Sequence, residues 1–173
     1  MDSKEVRSYR AVYTADGNTL SGFGAIFDSP TTIREGGRTF TEIVRPGAFD
    51  RSLKDGRDVL VCFNHDANRL LGRTSSGTAK VWADHQGLRF SVELPDHARD
   101  VKEMFTRGDL QGCSFMFSVR KDRWDGNTRE LLDLDVVECG PVVMPAYHAA
   151  VLTGLRSTGK YHKRLELLKR SLA

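Results

Sequence analysis

Ser114, His65 and Glu138 are the residues whose types, taken together, offer a recognisable reaction. A serine hydroxyl attacks a carbonyl poorly until a neighbouring base removes its proton. A neutral imidazole is well suited to take that proton near neutral pH. A third group then orients the imidazole and stabilises its charged form. Such a set carries out acyl transfer through a covalent serine intermediate.

Ser114 follows Gly112 and Cys113 at the start of an alternating stretch. Cys113, Phe115, Phe117 and Val119 share one face of a strand there, and Ser114, Met116 and Ser118 share the other. Gly108 and Gly112 leave the approach to Ser114 sterically open. His65 stands in Phe63-Asn64-His65-Asp66, just past a run with Val59, Val61 and Phe63 on one face. Each residue has a plainer alternative: a strand serine facing solvent, and a loop histidine satisfied by Asn64, Asp66 or water.

The third member depends on a hairpin. Trp124-Asp125-Gly126-Asn127 is a turn signal between two alternating runs. A two-residue Asp125-Gly126 turn pairs Ser114 with Val137 and sets Phe115 and Phe117 over Val136 and Leu134. A three-residue turn pairs Ser114 with Glu138. The first register packs better, and both bring Glu138 within a residue of Ser114. Glu138 also continues the apolar phase Leu132, Leu134, Val136, so its carboxylate must be partnered, protonated or turned out to solvent. Asp135 and His148 are the reserves.

Other chemistry is poorly supported. Cys62 and His65 have the spacing of half a zinc site, with no second Cys/His pair to complete it. Gly72 and Gly77 have phosphate-loop spacing, but Thr78 and Ala79 stand where Lys and Ser/Thr are required. No cofactor or metal is expected. His85 and His97 read as surface residues, and Trp82 and Trp124 as packing or turn residues.

These residues need a mainly β frame. Short apolar stretches punctuated by Gly, Pro, Asp and Asn predict strands at 10–13, 21–27, 39–44, 58–63, 80–82, 88–94, 113–120 and 129–137. The stretch 28–38, with Pro30, Gly36 and Gly37, reads as a mobile loop. Pro46 opens a short predicted helix over 46–53. Asp96 caps a second, with Ala98, Val101, Met104 and Phe105 inward and Gly108 at its end. Residues 1–155 then form one domain. Residues 156–173 form a basic amphipathic segment, with Tyr161, Leu165, Leu168 and Leu172 at helical spacing among Lys163, Arg164, Lys169 and Arg170.

A chain of 173 residues, 39% hydrophobic and 28% charged, is long enough for one well-buried core. No apolar run is long enough to span a bilayer, and the polar N-terminus lacks a signal core, so the protein is expected to stay where it is made. A net charge of +3 does not argue for nucleic acid. Cys62, Cys113 and Cys139 read as buried free thiols.

Several motifs in fixed order are similar to those of a known family. They are Gly22-Phe23-Gly24-Ala25-Ile26-Phe27-Asp28, Glu42-Ile43-Val44-Arg45-Pro46-Gly47-Ala48-Phe49, Asn64-His65-Asp66 with Leu71-Gly72-Arg73-Thr74, Gly112-Cys113-Ser114-Phe115 and Pro145-Ala146-Tyr147. Over residues 21–150 the chain resembles the prohead serine proteases of tailed bacteriophages, themselves related to the herpesvirus assemblins. The resemblance implies a closed β-barrel wrapped by helices, with Ser114 as nucleophile and His65 as base. Assemblins use a second histidine as third member, whereas this chain offers Glu138 at a comparable distance after the serine. The implied function is a serine endopeptidase acting on the phage major capsid protein, its scaffolding segment and itself, within the host cytoplasm and inside the prohead. Homo-oligomers are compatible with this reading; nucleic acid and membrane are not expected partners. The alternative is a non-catalytic assembly factor or internal scaffold on the same fold.

Overall fold

Alternating apolar residues broken by Gly, Asp and Asn produce short, well-defined strands. The computed structural model describes residues 4–10, 13–110 and 112–144. In chain order the elements are β1 (Lys4–Arg10), β2 (Tyr13–Asp16), β3 (Thr19–Ile26), β4 (Thr31–Glu35), β5 (Arg38–Val44), α1 (Asp50–Lys54), β6 (Leu60–Cys62), β7 (Leu70–Arg73), β8 (Ala79–Ala83), β9 (Gly87–Glu93), α2 (Arg99–Arg107), β10 (Gly112–Asp125) and β11 (Thr128–Val142). The molecule is mainly β, with two α-helices among the described residues. None of the described helices is long and apolar enough to cross a membrane.

The strands form two sheets. One follows the path β1-β10-β11-β5-β4, with β6 pairing to β11 and β7; the other runs β2-β3-β9-β8. Within the described pairing neither sheet closes on itself. Their inner faces share a single core, in which Leu20, Phe90 and Val92 of the smaller sheet meet Phe115, Phe117, Leu134 and Val136 of the larger. Phe27, Phe49, Phe115 and Phe117 contact one another in series at centroid separations of 5.8, 5.7 and 4.8 Å, the outer pairs stacked and the middle pair edge-to-face.

Local details depart from the sequence expectations for identifiable reasons. The strand expected at 10–13 overlaps the end of β1 at Arg10 and the start of β2 at Tyr13, with residues 11–12 outside the described residues; the strand over Lys4–Tyr9 was not expected. The expected loop at 28–38 holds β4, which pairs with β5 through Gly36 and Gly37 at φ of +56° and +75°. Thr31, Thr32 and Ile33 supply the β-branched residues that favour a strand. The helix expected from Pro46 starts only at Asp50, because Gly47 at φ +86° interrupts any helical run. Asp96 opens a 3₁₀ turn instead of capping α2, which begins at Arg99 without a side-chain cap. Ala98 and Val101 are buried beneath it, and Gly108 in the left-handed region ends it. The motif at 145–147, His148 and the segment 156–173 lie outside the described residues.

Candidate active site

β10 and β11 form one long hairpin whose turn is Gly126-Asn127, closed by the pair Asp125 and Thr128. That shifts the register from both sequence expectations: Ser114 lies opposite Gly140, and Glu138 lies opposite Met116. The ladder slips between Met116 and Phe117, so Val136 faces Phe117 and Val137 is the extra residue. A bulge of this kind reverses which face the following residues occupy. Glu138 therefore leaves the apolar phase of Leu134 and Val136 and joins the face of Ser114 and Met116. On that face Gly140 is directly opposite the serine and Glu138, two residues before it, is diagonal to the serine.

On its other edge β11 pairs in parallel with β6, Glu138 beside Leu60. β6 delivers His65 through a tight exit. Asn64 and His65 both adopt left-handed backbone, at φ of +54° and +58°. Two consecutive non-glycine residues in that region store strain and need outside support. Asn64 provides it: its N–H donates to the Pro141 carbonyl at 3.0 Å, and its Oδ1 accepts from the Val143 N–H at 2.9 Å. Asp66 then caps the next turn by accepting from the Asn68 N–H at 2.8 Å.

The loop thus brings the imidazole between the other two groups. His65 Nε2 lies 2.6 Å from Ser114 Oγ, and Nδ1 contacts Glu138 Oε2. A carboxylate beside Nδ1 selects the tautomer with its proton there, leaving the Nε2 lone pair toward the hydroxyl. Glu138 is buried, and its Oε1 has no hydrogen-bond partner among the described residues. His65 is the partner that makes the burial of this carboxylate tolerable.

Asp135, the reserve carboxylate, points to other work. Arg51 Nη2, Arg120 Nε and Arg57 Nη1 donate to it at 2.6, 2.6 and 3.2 Å. Burial pushes its pKa up, but the hydrogen bonds from Arg51 and Arg120 outweigh it and leave the carboxyl below its usual range. Cys62 and Cys139 are buried thiols, Cys62 raised to about 11 by burial and by the negative Glu138 and Asp66 nearby. His85 and His97 are exposed. A cleft of about 510 Å³ lined by Leu70, Arg73, Thr78, Pro95 and His97 excludes Ser114, His65 and Glu138.

Two site residues were absent from the sequence expectations. Ser8 of β1 lies opposite Ser114, and its hydroxyl donates to Ser114 Oγ at 2.9 Å. The Arg7 carbonyl accepts from Ser114 Oγ at 2.8 Å. No local pattern marks either residue, because the contact joins strands more than a hundred positions apart. The support role of Asn64 was equally hidden, although its tolerance of left-handed backbone was a usable signal.

Compared with known families, residues 4–164 match the model described as caudovirus prohead serine protease. Neither the curated proteins nor the solved structures compared with the chain gave a match.

Proposed function

This chain belongs to the caudovirus prohead serine protease family and is a serine peptidase; within that family we propose that Ser114, His65 and Glu138 are its catalytic triad. The observation that carries this reading is the single imidazole that meets Ser114 Oγ on one nitrogen and Glu138 on the other. His65 takes the hydroxyl proton as Ser114 Oγ bonds to the substrate carbonyl carbon. It then donates that proton to the departing amine as the acyl-enzyme forms. Water, deprotonated by the same imidazole, releases the acyl group and restores Ser114. Glu138 stabilises the imidazolium in both halves without itself being protonated. Backbone amides near Ser114 and an ordered water are the proposed oxyanion donors.

The proposed substrates are the phage major capsid protein with its scaffolding segment, and the protease itself, met inside the prohead in the host cytoplasm. The packing of β3 against β10 and of β7 against β9 supports the finer reading of an assemblin-like barrel. The test is co-expression of wild type or Ser114→Ala with the capsid protein, followed by mass measurement. Ser114→Ala should leave the capsid protein at full length while shells still assemble. Normal processing by that variant would remove Ser114 from the mechanism.

A further inference from the structure

Ser114 is 0% exposed. Nucleophilic attack requires a peptide carbonyl carbon to come within roughly 3–3.5 Å of its Oγ. Three groups already surround that oxygen: His65 Nε2 at 2.6 Å, Ser8 Oγ at 2.9 Å and the Arg7 carbonyl at 2.8 Å. The first belongs to the triad and must stay. The other two belong to β1. A hydroxyl has one proton, and while that proton is donated to the Arg7 carbonyl it is not offered to His65. β1 therefore excludes a substrate carbonyl and diverts the proton the base must take.

We propose that β1 is an internal cover, occupying the edge of β10 beside Ser114 and holding the protease closed until it comes away. The inference rests on Ser114 being the nucleophile.

The build of β1 suits a part that leaves. It lies at the end of its sheet's strand path, with β10 as its ladder partner. Its residues Lys4-Glu5-Val6-Arg7-Ser8-Tyr9-Arg10 include only Val6 and Tyr9 as apolar side chains. Beyond its ladder with β10, its side chains latch it by charge. Arg7 donates to both oxygens of the buried Glu42, at 2.6 and 3.1 Å, and Glu5 accepts from Arg129 at 2.8 Å. Buried ion pairs hold weakly in net terms, because both partners regain hydration when separated. An apolar strand has no such compensation. Once β1 is gone, the β10 edge presents main-chain donors and acceptors to which an extended peptide can add as a strand.

A disulfide can lock the cover. Lys4 and Ser118 face each other in the antiparallel ladder, where Cα atoms stand about 4.5–5.5 Å apart, within disulfide range. The pair Lys4→Cys and Ser118→Cys pins the N-terminal end of β1 and touches none of the proposed triad. The measurement is the rate at which an alkyl fluorophosphonate modifies Ser114, read by intact mass and peptide mapping. The oxidised protein should react at least about tenfold more slowly than the same protein reduced, since reactivity scales with the open fraction. Re-reduction should restore the rate. Arg7→Met, which leaves Glu42 its contact with Arg129, should react faster than wild type. Equal labelling of Ser114 in oxidised and reduced forms overturns the cover and leaves the nucleophile assignment standing. Absence of labelling in every form overturns both. If Arg7→Met does not fold, the redox pair decides the question alone.

Discussion

At the scale of single residues, the two carboxylates on the Ser114 face separate by what surrounds them. Glu138 has an imidazole beside one oxygen and a buried, unpartnered second oxygen. Asp135 has three arginines. Glu138→Gln keeps the shape but removes the charge that stabilises imidazolium. Its kcat on a capsid-derived peptide should fall by roughly four orders of magnitude, with the melting temperature nearly unchanged. Asp135→Asn should lose stability and spare chemistry. Because the folded carboxyl of Asp135 titrates below its unfolded value, it stabilises the protein above about pH 4 and loses that contribution as pH falls. Denaturant midpoints measured across acid and neutral pH should therefore show a shallower acid decline in Asp135→Asn than in wild type. A severe activity loss in Asp135→Asn with Glu138→Gln active would exchange their roles. That Ser114 and His65 meet was legible from the family motifs that carry them, since each residue type with its immediate neighbours has a plainer alternative. The placement of Glu138 was only half legible: its closeness to Ser114 followed from the hairpin, but its face depended on an extra residue at Val137 that alternation does not announce.

At the scale of elements, the site depends on how closely β6 can approach β11. A Cβ on Gly140 would stand 2.2 Å from the Cys62 carbonyl oxygen and 3.0 Å from its nitrogen. Both obstacles are backbone, so no rotamer change relieves them. Gly140→Ala must push β6 away, and with it the loop that carries His65. The expected stability loss is about 1–3 kcal/mol, as for other overpacked sites. The kcat should fall further than that loss accounts for, measured well below the melting temperature. Gly36→Ala is the control: it sits at φ +56° with open space around the added methyl, so it should cost stability and leave kcat alone. Full activity in Gly140→Ala would mean that the close approach does not set the His65 position. Of the strands around this contact, β6 and β11 were readable from their apolar alternation, whereas β7, which pairs with β6, was not expected. β4 is not readily legible in the sequence because Pro30 and the Gly36-Gly37 pair signal a loop. The alternating Thr31-Thr32-Ile33 and Thr39-Phe40-Thr41 runs flanking the glycines were the available hairpin signal.

At the scale of the whole molecule, the two sheets share one core, and the three cysteines report on it. Cys62 lies on β6, Cys113 on β10 and Cys139 on β11, all buried. Cys139 sits where the sheets meet: a Cβ on Gly24 of β3 would be 3.4 Å from its own Cβ. Burial holds the Cys139 thiol well above its ordinary pKa, and Cys62 rises to about 11. Since the thiolate is the reactive form, both should be nearly inert to maleimide at neutral pH while the fold is intact. A core fed by both sheets should also unfold as a unit. In a urea series, maleimide labelling of Cys62, Cys113 and Cys139 should therefore rise together and coincide with the loss of circular dichroism. Release of β1 is a smaller event, since it leaves β6 paired with β11 and the core aromatic stack in place. Fluorophosphonate should accordingly reach Ser114 at urea concentrations where Cys62 and Cys139 remain unmodified. If Cys62 were labelled well before Cys139, β6 and β7 would be opening as a separate unit, and the His65 loop would be leaving with them. Loss of activity at low urea would then arise from displacement of the base, whereas release of the cover raises the reactivity of Ser114.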